Sequence, residues 1–188
     1  MDKHFIPQKR MVGKGLYYLF IAEVCSFLSV LPVAGPAIAV ASSMIAIYAL
    51  YIMSKADIDY RFTFLLTIGN MLLSLSYSYV MMSGLSQTAA TLLQCAIYAV
   101  RLVMVYFICT RTTKYFKNMD AVLVERTSMV WKIFLFSNLL EIARALLATA
   151  PATLFTSELM DLISICVSIF ASVMFLMFLW KSQRILQK

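Results

Sequence analysis

Residues 61–111 read RFTFLLTIGNMLLSLSYSYVMMSGLSQTAATLLQCAIYAVRLVMVYFICTR. Two apolar runs, 62–83 and 88–110, lie between Arg61 and Arg111, and the turn joining them, Ser83 to Gln87, holds Gly84 but no Lys or Arg. About 20 apolar residues, rising about 1.5 Å each, cross a hydrocarbon core about 30 Å thick. The stretch therefore predicts a transmembrane helical hairpin whose two ends stay on the side that retains basic residues.

Working outward, the same unit recurs. Runs at 15–32 and 36–54 precede it, and runs at 129–149 and 158–180 follow, making six in three hairpins. Pro32, Gly35 and Pro36 punctuate the first outer turn and Pro151 the third, since proline removes a helix donor and glycine permits turn dihedrals. Of the 188 residues, 62% are hydrophobic and 13% charged, against roughly 45–50% and 25% in soluble domains. The expected fold is an all-α integral membrane protein: one domain over 1–188, a compact six-transmembrane-helix bundle with no separate soluble domain. The first two runs are long enough to cross only when nearly upright, which leaves a re-entrant hairpin as the alternative there.

Charge placement orients the bundle. Lys9, Arg10 and Lys14 precede the first run, Lys55 and Arg61 separate the second from the third, Arg111, Lys114, Lys117 and Arg126 separate the fourth from the fifth, and Lys181, Arg184 and Lys188 follow the last. The opposite connections carry no basic residue. Both termini are therefore expected in the cytoplasm. The net charge of +7 is read as a topology signal and as contact with anionic lipid headgroups, not as a nucleic-acid surface. The Ala37-x-Ala39 pattern resembles a signal-peptidase site, but apolar sequence continues through it, so the first helix is read as uncleaved. A multi-pass protein of a bacterial cytoplasmic membrane is the expected setting. Residues 111–127 fit either a short amphipathic helix on the inner surface or a helix extension with a linker.

The basic residues also give a depth scale. Glu23 follows Lys14 by nine residues, Asn70 follows Arg61 by nine, Glu141 follows Lys132 by nine, and Arg101 precedes Arg111 by ten. All four side chains are thus expected about 14–15 Å from one membrane face, in mid-membrane. Neighbouring polar residues extend the layer along single helix faces: Gln94, Tyr98 and Arg101 on the fourth run, Glu141 and Arg144 on the fifth, Asp161 and Ser164 on the sixth. At equal depth Arg101 partners Glu23 or Glu141, while Arg144, three residues beyond Glu141, reaches toward Asp161.

Two meanings compete for this layer of Glu23, Asn70, Gln94, Tyr98, Arg101, Glu141, Arg144 and Asp161. It is either a set of ion pairs that fixes helix register or a site that binds or translocates a small solute or ion. In the second case Arg101 and Arg144 fork onto a carboxylate or phosphate, or Glu23 or Glu141 carries a proton. The serines and threonines by themselves are read as close-packing residues. The corresponding alternative for the whole protein is a non-catalytic accessory, immunity or assembly protein whose buried charges serve packing and partner binding.

Catalysis finds little footing. Cys25, Cys95, Cys109 and Cys166 form no Cys-x-x-Cys pair, and the one histidine, His4, lies in the N-terminal tail, so neither a thiol exchanger nor a His-based intramembrane zinc site is expected. No phosphate-binding glycine loop is present and no cofactor is expected. The expected partners are membrane lipids, a small-molecule or ion ligand, or another membrane protein. In size, span count and scarcity of loops the chain resembles the membrane-embedded substrate-binding subunits of energy-coupling vitamin transporters. The resemblance is architectural, because the Ala-x-x-x-Ala docking motif of their first helix has no counterpart here.

Overall fold

The computed structural model describes residues 5–29, 35–84, 86–116, 121–147 and 154–187. Six helices account for nearly all of them: α1 Phe5–Leu28, α2 Gly35–Ala56, α3 Arg61–Ser83, α4 Gln87–Phe116, α5 Ala121–Leu147 and α6 Leu154–Gln187, with a single 3₁₀ turn at Ile58–Tyr60. No strand occurs among the described residues. The turn markers Pro32 and Pro151, and residues 117–120 of the proposed amphipathic segment, lie outside the described residues. What flanks 117–120 continues α4 on one side and begins α5 on the other, so residues 111–116 extend a long helix.

Among the described residues, five stretches are long and apolar enough to cross a membrane: Gln8–Leu28, Ala37–Ala56, Ile58–Ser83, Gln87–Phe116 and Leu159–Gln187. The exception is α5, which has 27 residues but carries Glu125, Arg126, Lys132, Glu141 and Arg144 along its length. It is held between α4 and α6 instead, and buries Ser137, Asn138 and Glu141 against them.

Each helix packs on the next, and α6 returns to α1, closing a ring in which all neighbours are antiparallel. Aromatic pairs mark every joint of this ring. Tyr18 meets Tyr48 between α1 and α2, Tyr51 meets Phe64 between α2 and α3, and Phe62 meets Phe107 between α3 and α4. Tyr106 meets Trp131 between α4 and α5, Phe134 meets Phe175 between α5 and α6, and Phe20 meets Trp180 between α6 and α1. Such pairs contribute roughly 0.5–1.5 kcal/mol each beyond burial. All six lie in the half of the ring that carries the basic helix ends.

That half also holds the core. Leu16, Leu50, Met53, Tyr60, Phe116 and Leu179 are fully buried. On α3, by contrast, the only buried residues are Thr63 and Thr67, in its first two turns. Two glycines serve this packing. A side chain at Gly15 would sit 3.0 Å from the Ala49 carbonyl oxygen and overlap Met53, so its absence lets α1 and α2 approach closely. Gly84, at φ 65°, takes the left-handed conformation that ends α3.

The connection between α2 and α3 is clasped to α4. Asp57 caps the 3₁₀ turn by accepting the Asp59 backbone N–H at 3.0 Å and accepts the Tyr115 hydroxyl at 2.9 Å. Asp59 pairs with Arg111 at 3.0 Å and with Lys114. Beneath them the buried hydroxyls of Tyr60 and Thr112 share a hydrogen bond of 3.0 Å. Asp57 and Asp59 are thus both engaged within the protein.

Candidate functional site

The polar layer resolves into two clusters. The first is a pair between opposite members of the ring: Arg101 on α4 brings its NH2 to 3.5 Å from Oε2 of Glu23 on α1. Because α1 and α4 are not ring neighbours, the two side chains reach each other across the interior. The Arg101 guanidinium also lies 5.5 Å above the centre of the Phe134 ring, itself in edge contact with Phe175 at 5.6 Å. A guanidinium over an aromatic face is attracted by the ring quadrupole. The aromatic pair at the α5–α6 joint is therefore the floor on which Arg101 rests. Both charged side chains remain accessible, Glu23 at 24% and Arg101 at 37%.

The second cluster is centred on Glu141. Its Oε1 accepts the Ser164 hydroxyl at 2.7 Å, and its Oε2 accepts Arg144 Nε at 3.1 Å and the Tyr98 hydroxyl at 3.4 Å. Gln94 donates in turn to the Tyr98 oxygen at 3.3 Å, and Arg144 NH1 donates to Asp161 at 3.1 Å. Helical spacing explains the convergence: Gln94 and Tyr98 are four apart and Glu141 and Arg144 three apart, so each pair shares a face. With its side chain only 11% exposed, Glu141 has donors from α4, α5 and α6 and is charge-balanced. This is how the most heavily charged helix accommodates a largely buried carboxylate.

Asn70 belongs to neither cluster. Its side-chain oxygen is buried without a partner among the described residues. Its backbone carbonyl accepts the Ser74 hydroxyl at 2.9 Å. Equal depth alone did not bring it to the others, because depth says nothing about the direction in which a helix face is turned. Two participants carry roles that the sequence reading did not assign. Ser164 appears there on the polar face of the sixth run and as a packing serine, without a partner assigned, and it is the closest donor to Glu141. Phe134 lies two turns before Glu141 on the same buried face of α5, a spacing that was available as a signal.

Away from the basic helix ends the sequence sets Glu23, Glu141, Glu158 and Asp161 against Arg101 and Arg144, an acidic excess of two. Among the described residues no group of three His, Cys, Asp or Glu side chains is placed to hold a metal ion. No protein-family model, curated protein or solved structure matches the chain.

Proposed function

We propose that this chain is a six-span protein of a bacterial cytoplasmic membrane, with both termini in the cytoplasm, that binds or translocates a small solute or ion at mid-membrane beside Glu23 and Arg101. The observation that carries this reading is the accessibility of that pair. Two charges at this depth find no partner in lipid, and those that stay uncovered by protein must face water or a ligand. Their 3.5 Å contact between opposite helices directs them to the ring interior. The packed aromatic half would close the cytoplasmic end, and the less buried half, with its acidic excess, would open to the other side. Movement of a solute through this site would be gradient-driven, passive or dependent on a partner protein.

The Glu141 cluster supports a different role for the remaining residues. A carboxylate with donors from three helices serves as a clamp that seats α5, and we assign Glu141, Arg144, Asp161 and Ser164 to that task. If Glu23 and Arg101 also act only as a clamp, the protein is an accessory, immunity or assembly partner instead. A thermal-shift screen of the purified protein against small metabolites and ions separates the two. Stabilisation of the wild type that disappears in Arg101→Gln supports a binding site. No stabilising compound, together with a poorly folded Arg101→Gln, refutes it. A reporter fused after Lys188 is expected to stay inside the cell, and its appearance outside would overturn the orientation.

A further inference from the structure

Resting on the solute-site reading, we infer that the ligand held between Glu23 and Arg101 is a small zwitterion, a molecule such as an α-amino acid that carries an ammonium and a carboxylate on adjoining atoms.

The geometry of the pair provides the first reason. Charge-assisted N–H···O contacts close to about 2.7–2.9 Å, whereas Arg101 and Glu23 stand at 3.5 Å. The pair is loose. Arg101 carries five N–H donors, and among the described residues its polar contact is Glu23 through NH2, with the Phe134 ring beneath it. Glu23 likewise has one oxygen facing Arg101 and no other polar partner among the described residues. Glu141 makes the contrast, with both of its oxygens taken by donors from three helices. One ion pair in the layer is saturated, and the other retains bonding capacity on both members.

Electroneutrality provides the second. A carboxylate that displaces Glu23 from Arg101 strands Glu23 as an unpaired anion at mid-membrane. An amine that displaces Arg101 strands the guanidinium. A charge left without a partner at that depth is strongly disfavoured. A zwitterion inserted into the pair offers its carboxylate to Arg101 and its ammonium to Glu23, so all four charges remain partnered and the site's net charge is unchanged.

The test uses the purified full-length protein in detergent and measures thermal stabilisation as a function of concentration for L-alanine, acetate, methylammonium, and acetate with methylammonium together. Alanine is expected to half-saturate at concentrations lower than acetate or methylammonium alone by about tenfold or more. Glu23→Gln and Arg101→Gln should each abolish the preference. The double variant Glu23→Arg with Arg101→Glu restores a loose pair of reversed polarity and should regain it, which separates loss of recognition from loss of folding. If acetate alone matches alanine, or methylammonium alone does, and the response is lost in Arg101→Gln or Glu23→Gln respectively, the zwitterion inference is overturned while the solute site stands. If none of the probes acts and the reversed-pair variant unfolds like the wild type, the pair is a clamp, and both the inference and the reading beneath it are overturned.

Discussion

Replacing Glu141 by Gln keeps the shape of the side chain and removes its charge. In the native protein its two oxygens take three donors: Ser164, Arg144 and Tyr98. The amide retains one acceptor oxygen, and its NH2 group can donate to the Ser164 or Tyr98 hydroxyl but not to Arg144, which loses its carboxylate oxygen. A hydrogen bond to a charged group contributes roughly 1.5–3 kcal/mol in proteins, while interhelical bonds measured inside membranes average nearer 0.6 kcal/mol. Arg144 keeps Asp161 as a partner and is itself about one-third exposed, which lowers the penalty of leaving its charge. The expected loss is therefore about 2 kcal/mol. It can be read by adding SDS to the protein in mixed micelles and following Trp131 and Trp180 fluorescence, Trp131 being on α5 itself. Removing the three charges with Ser164 together, as Glu141→Leu, Arg144→Leu, Asp161→Leu and Ser164→Ala, should cost less than Glu141→Gln, because no charge is then left without its partner. A Glu141→Gln variant within about 0.5 kcal/mol of wild type, below the effect assigned to one interhelical bond, would refute the clamp.

Three other outcomes test the architecture. Gly15→Leu should lower stability by about 1–3 kcal/mol through overpacking, since the new side chain meets Met53 and the Ala49 carbonyl; an unchanged unfolding midpoint would place α1 and α2 further apart than described. Thr112→Val strands the buried Tyr60 hydroxyl and should cost about 1–3 kcal/mol, with most of the loss recovered in Tyr60→Phe/Thr112→Val; an additive double variant would contradict the pairing. Asp59→Asn releases Arg111 and Lys114 at the membrane surface and should cost about 1 kcal/mol or less, shrinking further with added salt. A salt-independent loss would argue that this clasp is buried.

What is legible in the sequence follows from which physical quantity the pattern encodes. Apolar run length encodes span, so α3 and the membrane portion of α4 are found within a residue or so at their outer ends, where Gly84 also marks the stop. Counting residues from basic helix ends encodes depth, which sets Arg101 level with both Glu23 and Glu141 without choosing between them; the structure pairs it with Glu23. Rotation about the helix axis is encoded much more weakly. Asn70 has the right depth and no place in either cluster, and Ser164 shares its small size with many packing serines. The aromatic joints are invisible for a related reason: with 13 Phe and 10 Tyr in the chain, no spacing singles out the residues that meet a neighbour. The charges of α5 also work against an apolarity scan, because its compatibility with the membrane depends on what α4 and α6 present to it.

That dependence bears on how the chain is made. Synthesis proceeds from the N-terminus, and α1 to α4 each carry enough apolar length to leave the insertion machinery for lipid as they emerge. When α5 follows, Tyr98 of α4 is already present, but Ser164 and Asp161 have yet to be translated. The helix with a carboxylate and a guanidinium at its middle must wait for the next one. The last two helices are therefore expected to enter the bilayer as a unit, and a ribosome-released fragment ending near residue 150 is expected to hold four integrated helices and a fifth that stays open to added protease.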